Sequence, residues 1–133
     1  MSLGRLTIAI LLLAAADASI HVYLDYLFFG GNFFRNPLAV QFFLNFIGYV
    51  VLVCAFVSAG RWLGKQRALI NAIMILYAGA AIFRWVQLQM PNPMGLGYLS
   101  KAIEVLLIVA LLAHWLKIRP LDRQVEGSSE LSS

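Results

Sequence analysis

The sequence predicts an all-α integral membrane protein, a four-helix antiparallel bundle, and three observations predict it. Of 133 residues, 62% are hydrophobic and only 12% charged, where a soluble domain carries about a quarter charged residues. The apolar residues fall in four blocks of about twenty, each long enough to cross a bilayer, rather than in stripes one helix face wide. Between the blocks stand Gly30-Gly31-Asn32, Asn36-Pro37, Gly60, Gly64 and the run Met90-Pro91-Asn92-Pro93-Met94-Gly95-Leu96-Gly97, residues that stop one helix and start the next.

The first span covers about residues 6–29. Arg5, the run from Leu6 to Leu13 and the small residues around Ala16-Asp17-Ala18 also fit a secretory signal peptide. Apolar residues continue through Phe28-Phe29, however, so a retained helix is expected. The second span, about 38–59, carries Gln41, Asn45 and Gly48 on one face. The third, about 68–89, carries Asn71, Tyr77, Arg84 and Gln87; the fourth, about 98–116, has Lys101 and Glu104 near its start, and Pro120 is expected to close it. Residues 1–120 thus form a single transmembrane domain, and the polar stretch 121–133 is expected to be a disordered tail.

Four spans put both termini on one side. Arg5, Arg61, Lys65, Arg67, Lys117, Arg119 and Arg123 lie on that side, and only Arg35 and Lys101 on the other. The excess of basic residues places both termini in the cytoplasm and the chain in a plasma (inner) membrane. Trp62 and Trp115 would then sit at the inner interface, with Tyr26, Trp85 and Tyr98 near the outer one. The net charge of +4 is explained by these loops and by anionic headgroups. Without a basic patch interleaved with exposed aromatics, nucleic acid is not an expected partner.

Inside the first span, Asp17, His21 and Asp25 recur at four-residue spacing. A helix turns about 100° per residue, so each step drifts by only about 40° and all three share a face. Ionisable residues at such depth face protein or water and mark candidate functional sites. Topology brings Gln41, Asn45, Arg84, Lys101 and Glu104 to the same outer half. The expected site is therefore a polar pocket lined by Asp17, His21, Asp25, Gln41, Asn45, Arg84, Lys101 and Glu104, open to the outside. Beneath it, an inner half rich in Leu, Ile, Val and Ala would form a dry plug packed through Ala55, Ala59, Ala68 and Ala72. Arg84 is expected to bridge to Asp25 or Glu104, with an anion clamp as the alternative role. Lys101 either pairs with Glu104 at i,i+3 or snorkels to headgroups.

His21-Val22-Tyr23-Leu24, the run Phe43-Leu44-Asn45-Phe46-Ile47-Gly48-Tyr49, and Lys101-Ala102-Ile103-Glu104-Val105-Leu106-Leu107 resemble a set of uncharacterised small four-span bacterial membrane proteins. The resemblance covers most of the chain. It implies the architecture and a shared site for His21, Asn45, Lys101 and Glu104, and lends no activity. The chain lacks the isolated first-helix Glu of small multidrug transporters and the cysteine pairs of thiol-oxidising membrane enzymes. Its one cysteine, Cys54, excludes an intrachain disulfide or a paired-cysteine motif.

Catalytic motifs are also absent: no G-x-S-x-G, no H-E-x-x-H. The leading functional expectation is accordingly non-enzymatic, a binding module or accessory subunit of a membrane complex. Its expected partners are the lipid bilayer, a small ligand or lipid headgroup, and a larger complex or homo-oligomer. A purely structural ion-pair network is the plain alternative. Proton or ion movement along Asp17, His21 and Asp25 is a further one, weakened by the lack of ionisable groups toward the cytoplasm. No cofactor is predicted, although His21, Asp17, Asp25 and Glu104 could offer N and O ligands to a metal in an intramembrane enzyme. Haem would need two histidines at one depth, and His21 and His114 lie in opposite halves.

Overall fold

The computed structural model describes residues 1–62 and 66–132, and the side chains of all of these except 60–62, 93, 120–126, 129 and 130. The expectations for Arg61, Trp62, Lys65 and Arg123 lie outside the described side chains. Among the described residues the α-helices are α1 (Leu3–Phe29), α2 (Pro37–Trp62), α3 (Arg67–Gln87) and α4 (Leu96–Leu131), and a 3-10 turn, Pro93–Gly95, leads into α4. All four contain a segment long and apolar enough to cross a membrane. The chain is a small multi-pass membrane protein, and its helices pack in a ring in which α1 meets α2 and α4, and α3 meets α4 and, least closely, α2.

Local chemistry sets the helix ends. Ser2 caps α1 by accepting from the Arg5 N–H, and Gly30, at φ 62°, ends the helix in the left-handed region that favours glycine. The Asn36 side chain accepts from the N–H groups of both Leu38 and Ala39 at 3.0 Å, with Pro37 at the first helical position, where its missing N–H costs nothing. Between α3 and α4 the Trp85 indole donates to the Pro91 carbonyl at 2.9 Å, and Asn92 Oδ1 accepts from the Tyr98 N–H at 3.0 Å. Lys117 Nζ bonds the Met1 carbonyl, tying the start of the chain to α4. The bundle has a loop end, with residues 30–36 and 88–95, and a terminal end, with the start of α1.

Buried positions among the described side chains of α4 are Gly97, Ser100, Glu104, Leu107, Leu111, His114 and Ile118, steps of three and four that keep one seam facing the bundle. On α1 the seam is Leu6, Ile10, Ala14, Asp17, Ala18, His21, Leu24 and Asp25. Lipid is as apolar as leucine, so close packing rather than dehydration holds such helices together. Buried Ala14, Ala18, Ala39, Ala59 and Ala78 let the backbones approach. Leu12, Leu76, Phe83, Val109 and Leu116, all more than half exposed, cover the lipid-facing surface.

Two expectations change. The backbone of α4 continues through Pro120, where the sequence predicts its end, and through 121–131, where it predicts a disordered tail. Proline removes one hydrogen bond and crowds the preceding turn, at about 3 kcal/mol. At the end of a membrane span, however, water can satisfy the released carbonyl, and the following residues are mostly helix formers. Second, the terminal half is not a dry plug. Thr7, Arg67, Asn71 and His114 help line a cleft of about 380 Å³. The apolar layer lies at mid-height instead, built from Ile10, Ala14, Ala18, Phe56, Met74, Leu107 and Leu111. Asn71 and His114 occupy seam positions where periodicity alone expects apolar side chains.

Candidate functional site

Asp17, His21 and Asp25 all face the bundle interior, as their spacing requires, and Asp17 and Asp25 are fully buried. Asp17 lies at the middle of α1 and Glu104, also fully buried, lies about one turn from the middle of the α4 span. The two carboxylates therefore meet on the loop-end side of the apolar layer. Asp17 Oδ1 accepts from the Ser100 hydroxyl at 2.6 Å. Glu104 Oε2 lies 2.7 Å from Lys101 Nζ, and its Oε1 accepts from the Tyr49 hydroxyl at 3.4 Å. The pairing of Lys101 with Glu104 is one of the two arrangements the sequence allows.

His21 bridges helices. Its Nδ1 is 2.9 Å from the Asp17 backbone carbonyl, and its Nε2 is 2.7 Å from Asn45 Nδ2 on α2. A carbonyl only accepts, so Nδ1 carries a hydrogen, and Nε2 accepts from the asparagine amide in this orientation. Nδ1 also lies 3.4 Å from Asp17 Oδ2, but its hydrogen serves the carbonyl, and Oδ2 has no hydrogen-bond partner. Asp17, His21 and Glu104 each place one ligand-type atom within 4.8 Å of the others, and all three are buried. Asp25 stands apart from this cluster, and both its oxygens are buried without a hydrogen-bond partner.

Beside the cluster, toward the loop end, is a cavity of about 790 Å³. Its walls are mostly apolar: Leu24, Phe28, Phe29, Phe42, Leu44, Ala80, Ala81, Trp85 and Leu88 among others. His21, Gln41, Asn45, Tyr77, Arg84, Ser100 and Lys101 supply polar atoms. Of the eight residues expected to line one pocket, His21, Gln41, Asn45, Arg84 and Lys101 do so. Asp17, Asp25 and Glu104, all fully buried, are not among the lining residues. Arg84 makes neither expected salt bridge. It is exposed on α3 and donates to Gln87 Oε1 at 3.4 Å, while the charge of Glu104 is met by Lys101.

Sequence reasoning missed three contributors. Ser100 precedes Glu104 by one helical turn, so the i,i+4 spacing that grouped Asp17 with His21 could have found it. Tyr49 and Tyr77 read as packing residues. Tyr49 is buried against Glu104, and the Tyr77 hydroxyl lies 3.4 Å from the carbonyls of Leu44 and Asn45, closing the α2–α3 seam below the cavity. Comparison with protein-family models, curated proteins and solved structures gives no match for the chain.

Asp25 yields a first prediction. A buried polar group without a partner forfeits its hydration, at about 1–3 kcal/mol. Asp25→Leu is therefore expected to raise the thermal unfolding temperature in detergent. A lowered temperature would mean that the Asp25 carboxyl is held by a favourable interaction.

Proposed function

We propose that the protein is a binding module for an amphiphile, an apolar molecule with an anionic or hydrogen-bonding head, working alone or as an accessory subunit of a larger membrane complex. The cavity carries this reading: about 790 Å³ is within the usual range for small-molecule sites, and such sites are apolar with few polar groups. Its phenylalanine, leucine and alanine walls suit a chain or ring. Arg84, with Lys101 and Asn45, suits the head, since a guanidinium reads planar anions through paired N–H donors. With both termini in the cytoplasm, as the basic-residue asymmetry supports, the cavity opens in the outer leaflet of a plasma membrane, and its ligand arrives from that leaflet.

Transport along the Asp17, His21 and Asp25 ladder receives less support. Asp25 has no hydrogen bond to His21, and the apolar layer around Ile10, Met74 and Leu111 separates the cluster from the polar cleft at the terminal end.

The test is mass spectrometry of lipids and other amphiphiles retained by the protein purified in mild detergent, followed by titration with an anionic fluorescent fatty acid. Ala81→Trp, which fills the cavity, is expected to abolish retention. Arg84→Gln should weaken the anionic probe about ten-fold, the loss of one charge-assisted contact. Equal retention by wild type and Ala81→Trp would overturn the reading.

A further inference from the structure

We propose that Asp17, His21 and Glu104 form a binding site for one divalent transition-metal ion of the zinc or manganese kind, set behind the cavity. The site is independent of what the cavity holds. Three features support it. Their ligand-type atoms lie within 4.8 Å of one another, and Asp17 Oδ2 stands 3.4 Å from His21 Nδ1. Two donors each about 2.1 Å from a tetrahedral ion are about 3.4 Å apart, so this pair needs no rearrangement of backbone. Imidazole with carboxylate oxygens is a donor set that suits zinc and manganese.

The second feature is Asp17 Oδ2 itself, fully buried, within the cluster and without a hydrogen-bond partner. The other oxygen of the same carboxylate is held by Ser100 at 2.6 Å, so the group is oriented by a hydroxyl while its free oxygen faces the histidine. A buried polar atom left unsatisfied in an otherwise bonded network calls for a partner. The third is charge. Two buried carboxylates face a single ammonium, Lys101, and a divalent ion would neutralise both carboxylates. Lys101 is part of the cavity lining and can turn its ammonium into that space.

Protons balance in the exchange. His21 turns its ring off the Asp17 carbonyl so that Nδ1 can take the ion, its hydrogen passes from Nδ1 to Nε2, and Asn45 turns its amide so that Oδ1 accepts the new N–H. The histidine then has the outer partner that metal-bound imidazoles commonly keep. Three protein ligands leave a fourth position for water or for a donor reaching in from the cavity, the arrangement of an open rather than a closed site.

The experiment uses the full chain without a histidine tag, purified in detergent, with Zn²⁺ and Mn²⁺ titrated by calorimetry and Co²⁺ followed by visible absorption. The expected result is one ion per chain and the intense visible bands of four- or five-coordinate cobalt. Asp17→Asn and Glu104→Gln should remove both signals. Asn45→Leu, which strips the outer partner from His21, should weaken binding about ten- to hundred-fold. Lys101→Met, which removes the competing cation, should bind at least as tightly as wild type and gain more thermal stability from Zn²⁺. His114→Asn should change nothing. Absence of stoichiometric metal from the wild type, an octahedral aquo-like cobalt spectrum, or loss of binding in His114→Asn with retention in Asp17→Asn would each overturn the proposal. The wild-type cobalt spectrum decides the matter even if a variant fails to fold.

Discussion

Lys101→Met is expected to cost about 3 kcal/mol of stability in metal-free detergent solution, at the lower end of the range for breaking a buried ion pair. Glu104 is fully buried, and its Oε2 depends on the ammonium 2.7 Å away. Methionine keeps the volume of the lysine stem and removes the charge, leaving a carboxylate whose other contact is a 3.4 Å bond from Tyr49. Most of the loss is thus the cost of an uncompensated charge rather than of lost packing. The double variant Lys101→Met/Glu104→Gln should recover much of it, because glutamine can still accept from Tyr49 and carries no charge. A thermal or denaturant unfolding cycle over the four proteins measures the coupling directly. Strict additivity of the two substitutions would show that the pair is not what holds Glu104 in place.

Gly48→Val should be nearly as damaging, at about 2–3 kcal/mol for an overpacked contact, and for a different reason. A Cβ at Gly48 would fall within the Tyr77 hydroxyl and ring. The phenol is rigid and meets Tyr49 edge-on, with ring centres 5.2 Å apart, so it cannot yield by a small rotation. Either α2 and α3 part, at the seam where they already touch least, or Tyr77 leaves the carbonyls of Leu44 and Asn45. Both outcomes disturb Asn45 and, through it, His21. The unfolding temperature should fall, and the substitution should be far better tolerated in a Tyr77→Ala background, where the space is free. Equal damage in both backgrounds would place the cause in helix propensity rather than in this contact.

These two positions show how differently the site was legible in the sequence. Asp17, His21 and Asp25 could be assigned to one interior face from spacing alone, because a helix carrying charge through lipid must turn it inward. Lys101 and Glu104 were legible as a local pair for the same reason. Arg84 was not: its partners depend on which side chains the neighbouring helices bring near it, and Glu104 is already paired with Lys101. Nor did anything in the spacing of α1 say that Asp25 would be isolated while Asp17 and His21 joined a cluster. Ser100, Tyr49 and Tyr77 carry no motif and become significant only through residues 83, 55 and 32 or 33 positions away.

What the sequence determined by itself is the class of the protein: four spans, short breaks, and the Asp17, His21 and Asp25 face of α1 turned to the interior. The bilayer imposes these, since backbone groups must be bonded within each helix and unpaired charge is too costly to expose. Only the tertiary structure decided the rest. It placed the apolar layer between a buried carboxylate–histidine cluster and a cleft lined in part by Thr7, Arg67, Asn71 and His114. It set Asp17, His21 and Glu104 together behind a largely apolar cavity, and it left Asp25 out. Those outcomes depend on helix rotation and on which side chains fill the space between neighbours, which packing at close range settles and periodicity along one helix does not.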